Sequence, residues 1–530
     1  MARTINETIR VCTDSYLEQI DIDAPPSPAD IEAELVSIVK DACYLENQIR
    51  AKGDELRPPK RLCTSQIAAI MLKIHHIVRV SCGGNNADPS YDLLAIYKEN
   101  EGIYSTDEDN IKRIAEDYCY TISKKEIEEV VEKIRIKAPR VSRTIDKDLI
   151  AVNNGIFNYE TKQLEPFSPE YVFLAKSKVN YNSDAVNITI HNAEDDTDWD
   201  VESWMADLSD DPEVVELLWE ILSAIVRPHV RWNKSAWFYS STGNNGKGTL
   251  CELMRSLCGD GSFAAIPLSD FSKDFALEPL TRATAIIVDE NDVGTFIDKA
   301  ANLKAVITND VIPINRKFKA PISYQYLGFM VQCLNEMPRI KDKSDSFYRR
   351  QLFIPFDKCF TGKERKYIKN DYLHRKEVLE YVLYKVLNMN FYKLSEPVAC
   401  RTALDEYKEF NDPVRQFLDE MLGQCVWDLL PWGFLYDLYK AWFRKNSPSG
   451  AIQGRNTFIN DVLNMIKDYP DWYCQGRSVD VRPGHKMDRP EPLIGEYALV
   501  DWKNSTYTGN NVDIICTTTL KSKYAGLQRC

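Results

Sequence analysis

Residues 241–249 read Ser-Thr-Gly-Asn-Asn-Gly-Lys-Gly-Thr, just after the apolar run Ala236, Trp237, Phe238 and Tyr239. A strand, a glycine-rich turn and a helix in that order form a phosphate cradle. Backbone N–H groups and a lysine meet the anion at a helix N-terminus. The residues placed to hold a nucleotide triphosphate are Gly243, Asn244, Asn245, Gly246, Lys247, Gly248 and Thr249. The full pattern G-x-x-x-x-G-K-[ST] is only partly kept. Ser241 stands at the first glycine position and Gly248 at the hydroxyl position. Thr249, one residue on, is the candidate hydroxyl for magnesium.

Four further patterns follow downstream. Ala285-Ile286-Ile287-Val288 ends in Asp289-Glu290, which suits a strand delivering Asp289 to magnesium and Glu290 to an attacking water. Val331-Gln332-Cys333-Leu334 ends in Asn335, with Pro338 beyond. An asparagine at a strand tip suits contact with a γ-phosphate, and alone it also suits an ordinary turn. Arg349 and Arg350 precede a second apolar run. Such a pair fits a surface ion pair, or an arginine reaching a neighbouring subunit's nucleotide to stabilise transition-state charge. Arg316, Lys317 and Lys319 surround Phe318. Three cations around an aromatic suit a hairpin touching a nucleic-acid backbone, and in isolation a solvated charge run.

These residues need elements to position them. Residues 236–356 alternate strand and helix, and the apolar runs at 236–239, 284–288 and 326–334 predict a buried, largely parallel sheet. Residues 363–410 read as helical. Upstream, residues 1–140 read as mainly helical. Ser27, Pro28 and Asp30 start one helix, with Ile31, Leu35, Ile38 and Val39 as its stripe. Residues 64–80 predict a second helix, 81–89 a loop and 125–136 a third helix. Residues 149–152, 155–159 and 172–175 predict short strands in a small α+β segment, 141–209. Asp211 and Pro212 start a helix striped by Leu217, Leu218, Ile221, Leu222 and Ile225. The ATPase segment is then 210–410. Residues 411–502 predict a separate small domain, with helices near 414–422, 434–443 and 457–466 and a β wing at 472–474 and 497–502. Residues 503–530 read as a polar, loosely ordered tail.

A chain of 530 residues with 44% hydrophobic and 11% aromatic content supports several packed domains. No apolar run approaches the ~18 residues of a membrane span, and the N-terminus lacks an apolar signal stretch. The expectation is an intracellular protein. None of the 14 cysteines forms Cys-x-x-Cys or a zinc spacing, so reduced thiols are expected. A net charge of −13 argues against a nucleic-acid partner. However, eleven acids and no Lys or Arg fall within residues 194–216, and without them the charge is −2. An acidic linker thus carries most of the imbalance, and a local basic surface remains compatible with the composition.

In this order the motifs resemble those of superfamily 3 helicases of the phage and plasmid primase type, which are similar to the poxvirus primase-helicase. The residues that carry the likeness are Asn245-Gly246-Lys247, Asp289-Glu290, the stretch 304–319, Asn335 with Pro338, and Arg349-Arg350. Asn153-Asn154-Gly155-Ile156-Phe157-Asn158 resembles the segment preceding that ATPase, and Asp412-Pro413-Val414 with Phe417-Leu418 resembles the start of its C-terminal region. The resemblance implies a multidomain α/β protein with an AAA+ P-loop core and a C-terminal winged-helix-like domain. It implies ATP and Mg²⁺ as cofactors and a ring, expected to be a homo-hexamer, with ATP sites between subunits. Lys247 and Thr249 would bind phosphates and metal, Asp289 and Glu290 would serve magnesium and water, and Asn335 would sense the γ-phosphate. Arg349 or Arg350 would reach in from the neighbour. Arg316, Lys317 and Lys319 would line a channel for single-stranded or forked DNA. The implied setting is the cytoplasm of a bacterial host. The first 140 residues are too few for the family's primase domain, so a separate primase or loader protein is expected. Two other functions fit parts of the sequence: an ATP-controlled replication initiator with little motor activity, and a P-loop nucleotide kinase.

Overall fold

The apolar runs around the phosphate loop pair into a five-stranded parallel sheet in the computed structural model. Across the sheet the strands are Phe263–Ala264, Ala285–Val288, Phe329–Leu334, Ser235–Tyr239 and Gln351–Pro355. Every residue of the strands Ala285–Val288 and Phe329–Leu334 is buried. Such unbroken burial is what a parallel sheet covered on both faces requires. Helices Pro212–Val226, Lys247–Cys258 and Lys376–Asn388 contribute to the same core. The parallel sheet expected from 236–239, 284–288 and 326–334 is therefore present.

The structure describes residues 3–83, 88–317, 319–446 and 452–530, with only the backbone described at 319–320. The chain divides into two compact units, Met1–Ala403 and Leu404–Cys530.

The N-terminal region holds a sheet beside the helices expected of it. It holds helices Ile5–Gln19, Pro28–Asn47, Thr64–Ile74, Glu108–Asp117 and Lys124–Lys137. It also holds a four-stranded sheet, in the order Ile103–Ser105, Leu93–Lys98, Ile77–Ser81 and Arg140–Ser142. The helix expected over 64–80 ends at Ile74. Beyond it Ile77, Val78 and Val80 are β-branched and pair with the strand at 93–98, where such side chains pack well. Residues 84–87 of the expected loop lie outside the described residues. Ser27 does cap its helix, accepting from the Asp30 N–H at 3.2 Å.

Two expectations in the segment before residue 210 also change. Residues 149–152 and 155–158 are strands, but 172–175 is not. The Phe173 and Val172 carbonyls instead accept from the Tyr104 and Thr144 N–H groups, at 2.8 and 3.1 Å, and the two side chains pack into two small apolar clusters. The acidic stretch is folded rather than a linker. It contains the hairpin Ile190–Asn192 with Thr197–Trp199 and the helix Val201–Ala206. Asp200 accepts from the Glu202 and Ser203 N–H groups, both at 3.0 Å, and Asp211 from the Glu213 N–H at 2.9 Å. Carboxylates at helix N-termini satisfy orphan donors and complement the dipole.

The second unit carries helices Pro413–Met421, Trp432–Asn446 and Arg455–Met465. Its sheet has the order Leu429–Pro431, Gly526–Arg529 and Trp472–Tyr473, all antiparallel. The wing expected at 497–502 does not form: residues 497–498 turn after the helix Leu493–Glu496, and Val500–Trp502 is a short 3₁₀ helix. The last residues are not a loose tail: Gly526–Arg529 is the central strand, with Leu527 fully buried.

Candidate active site

Three motif loops leave the C-terminal ends of three adjacent strands. Register places Val288 beside Gln332 and Tyr239 beside Leu334. The residues that follow, Asp289, Asn335 and the loop 241–247, therefore share one edge of the sheet. Ligands of open α/β sheets bind at that edge.

The loop is shaped by left-handed backbone at Asn244 and Gly246, φ 55° and 86°. A Cβ on Gly246 would lie 2.6 Å from Leu208 Cδ2, so glycine is required there on two counts. Asn245 donates from Nδ2 to the Thr242 carbonyl at 2.5 Å and accepts from the Lys247 N–H at 3.4 Å. The helix Lys247–Cys258 then begins with no side-chain cap. With the Lys247 N–H turned to Asn245, the Gly248 and Thr249 N–H groups remain available to an anion.

Lys247 is 5% exposed, and its Nζ is buried without a hydrogen-bond partner. Burial pushes its pKa below the ordinary lysine value, opposed by the neighbouring Cys333 and Cys251 thiols. An unpaired buried cation is costly, and a phosphate at the loop would satisfy it. The residues present therefore fit a phosphorylated ligand.

Asp289 is engaged: its Oδ2 accepts from Arg255 Nη2 at 3.1 Å, and Arg255 also holds Glu252 at 2.9 Å. Glu290 and Asn335 are exposed and Thr249 half-buried, each with no side-chain hydrogen bond among the described residues. Among the described residues no three His, Cys, Asp or Glu side chains group to hold a metal. The donors Thr249 and Asp289 fit magnesium only as an ion shared with ligand phosphates, its usual mode of binding.

The arginine pair separates clearly. Arg350 turns back onto the Ser346 carbonyl and hydroxyl, the latter at 2.8 Å. Arg349 is exposed, with no side-chain partner among the described residues. The expected hairpin is formed by Val311–Arg316 and Lys319–Gln325. Arg316 and Lys317 lie at its turn, with Lys317 exposed, while Phe318 lies outside the described residues.

Sequence reasoning missed three supports. Arg255 is one. Asn291 and Gln332 are the others: Asn291 Nδ2 donates to Gln332 Oε1 at 3.0 Å and to the Cys333 carbonyl at 3.1 Å. Gln332 Nε2 reaches the Ile266 carbonyl at 3.1 Å. This buried network ties the loop after Asp289 to the strand that ends at Asn335. A lone Gln within the apolar run 329–334 was its only signal.

Beside the loop lies a cleft of about 670 Å³. Trp204, Leu208 and Phe360 give it apolar wall, and Asn244, Thr249 and Lys369 give it polar wall. Its volume suits a ligand of nucleoside size.

Comparison with known proteins places two segments. Residues 60–210 match the family described as D5 N terminal like. Residues 238–350, from the strand before the phosphate loop to Arg350, match a family of unknown function (DUF5906). The D5 N terminal like segment thus ends just before the helix that leads into the sheet. Solved structures similar to the chain include an A form apo structure of the NrS-1 C terminal region, at 13% identity and TM-score 0.42, covering 84% of this chain and 92% of that one. A second, of the NrS-1 C terminal region 305–718, has 15% identity and TM-score 0.43, covering 88% of this chain and 100% of that one. No curated protein matches the sequence. Among the described residues no helix is long and apolar enough to cross a membrane.

Proposed function

We propose that this chain is an ATP-driven, ring-forming DNA helicase for replication of a phage, plasmid or mobile element. The observation that carries the proposal is the convergence at one sheet edge. The phosphate loop with its buried, unpartnered Lys247, the Asp289-Glu290 pair and Asn335 all lie there. The D5 N terminal like match beside this site supports the replication setting.

In this reading the loop N–H groups and Lys247 bind the β- and γ-phosphates, and the cleft seats the nucleoside. Magnesium, held by Thr249 and Asp289, neutralises phosphate charge when bound. Glu290 orients and polarises the attacking water, and Asn335 contacts the γ-phosphate. Arg349, exposed and without a side-chain partner among the described residues, serves the nucleotide of a neighbouring copy in this reading. That division of labour requires a closed ring, which we take to be a homo-hexamer. The hairpin cations Arg316, Lys317 and Lys319 track the single-stranded DNA backbone. From Pro413 the second unit runs helix, strand, helix, helix and strand, then several short helices before the last strand, and the helix, strand, helix, helix, strand part supports the winged-helix-like reading. We assign no primase activity to the chain and expect a separate primase or loader, with the whole assembly in the cytoplasm of a bacterial host.

The test is ATP hydrolysis with and without single-stranded DNA, for wild type and Glu290→Gln. DNA-stimulated turnover lost in the variant is expected. Full turnover by a DNA-free monomer would overturn the ring.

A further inference from the structure

The segment after the last core strand is fastened to the phosphate loop. The Phe360 N–H donates to the Asn244 carbonyl at 2.7 Å. Asn244 Nδ2 donates to Thr361 Oγ1 at 3.2 Å and Glu364 Oε1 at 3.1 Å. This fastening sets the short helix Lys366–Asn370 against the phosphate-loop helix, with Ile368 buried as its anchor.

The cations of the segment fall into two kinds. Lys358 pairs with Asp210 at 2.8 Å, and Arg365 lies 3.8 Å from Asp195. Lys363 and Lys366 are exposed at the rim of the cleft. Lys369 differs: it is half-buried, lines the cleft with Thr249, and makes no hydrogen bond or ion pair among the described residues. Its Nζ lies 3.8 Å from where a Cβ on Gly248 would stand.

Gly248 is thereby explained. Its backbone is not left-handed, so the turn does not demand glycine. A glycine inside a helix costs ~1 kcal/mol relative to alanine. A Cβ there would make ordinary van der Waals contact with the Lys369 ammonium, so that ammonium is the nearest group to the space the missing side chain leaves. The hydroxyl that usually follows the loop lysine is thus replaced by open space with a second ammonium beside it. Lys247 and Lys369 then both stand near one helix N-terminus, neither in an ion pair among the described residues; of the carboxylates lining the cleft, Asp198 pairs with His191, Asp200 caps its own helix, Glu364 accepts from Asn244, and Asp207 reaches neither lysine. Two unpaired cations and free N–H groups together call for a polyanion.

We propose that Lys369 is a second phosphate-binding lysine, supplied by the same subunit and admitted by the missing side chain at Gly248. It binds the polyphosphate of a nucleoside di- or triphosphate, and it makes the site phosphate-selective before any neighbour contributes. The inference rests on the nucleotide reading of the loop.

The test is binding of a non-hydrolysable ATP analogue, ADP and adenosine, with magnesium, by calorimetry. Wild type, Lys369→Ala, Lys369→Arg and Lys247→Ala are compared. Lys369→Ala should weaken the analogue and ADP about ten-fold or more, the scale of a lost charge-assisted bond, leave adenosine unchanged, and be largely rescued in Lys369→Arg. If Lys369→Ala binds the analogue like wild type while Lys247→Ala does not, the Lys369 assignment is wrong and the loop reading stands. If wild type binds no nucleotide, or Lys247→Ala binds normally, the loop reading itself fails. A second measurement needs no variant: acetylation of wild-type Lys369, read by mass spectrometry. The ATP analogue should protect Lys369 and adenosine should not, and equal labelling in both would overturn the proposal.

Discussion

The Arg255 guanidinium holds the Asp289 carboxylate at 3.1 Å, from two turns along the helix that begins with Lys247. One helix therefore presents the phosphate loop at its start and orients the proposed magnesium carboxylate further along. Partners that orient metal ligands typically contribute 10–100-fold to metal affinity or activity. Arg255→Ala should lower turnover by about 10-fold and raise the magnesium concentration needed for half-maximal rate. Nucleotide binding measured without magnesium should hardly change. A magnesium titration identical to wild type would reduce the pair to a resting contact.

Lys247 sets stability against binding. Its buried ammonium has no partner, so replacing it with an apolar side chain of similar length removes a desolvation cost. Lys247→Met should stabilise the ligand-free protein by about 1–3 kcal/mol while abolishing nucleotide binding. Thermal melts with and without ATP analogue read both effects. A lower melting point for the ligand-free variant would mean that the ammonium is satisfied in solution.

Arg349 and Arg350 should behave differently despite being neighbours. Arg350 is folded onto Ser346, whereas Arg349 is exposed. Arg349→Ala should reduce turnover on the order of 10³-fold with nucleotide binding retained, the scale of a lost finger. Arg350→Ala should chiefly lower thermal stability. Mixing Arg349→Ala with Lys247→Ala subunits should recover some turnover, because an interface that takes Lys247 from the first variant and Arg349 from the second is intact. No recovery at any mixing ratio would argue against a shared site.

What could be read from the chain divides by distance. Asn245-Gly246-Lys247, the apolar run before Asp289 and the strand tip at Asn335 are local patterns, and their strands formed as expected. Arg255 could not be seen, because its role exists only once a helix and a strand lie side by side. The strand at 77–81 was absorbed into a helix, since Ile70, Met71, Ile74, Ile77 and Val78 keep helical spacing across the break at His75. The acids of 194–216 looked like a linker by composition, and only the fold reveals Asp200 and Asp211 as caps.

His229 gives the first unit an acid-sensitive point. Its ring stacks on Phe173 at 5.7 Å, and Nδ1 lies 3.2 Å from the Asp146 carbonyl. Burial, and then the Arg143 charge, push its pKa down to about 4. An unfolded histidine titrates near ~6.5. Between these values the unfolded chain binds more protons than the folded one, so stability falls as pH drops from about 6.5 towards 4. The loss should be on the order of 3 kcal/mol or less, and His229→Gln should flatten that part of the profile. Denaturant midpoints at pH 7, 6 and 5 test this, and parallel curves for wild type and variant would assign the acid sensitivity elsewhere.

The C-terminal strand should be indispensable to the second unit. Leu527 is fully buried, and Gly526–Arg529 pairs with Leu429–Pro431 on one side and Trp472–Tyr473 on the other. A Cβ on Gly526 would stand 2.0 Å from the Leu430 carbonyl oxygen, so the strand approaches as closely as a glycine allows. Leu527→Ala should destabilise this unit by about 2–5 kcal/mol, the usual cost of truncating a buried leucine. Ending the chain at residue 525 should leave both flanking strands unpaired and speed amide exchange in helices Trp432–Asn446 and Arg455–Met465, which share its apolar core. Hydrogen exchange on the full chain separates the outcomes. Unchanged protection after truncation would mean that these helices hold the unit together without the sheet.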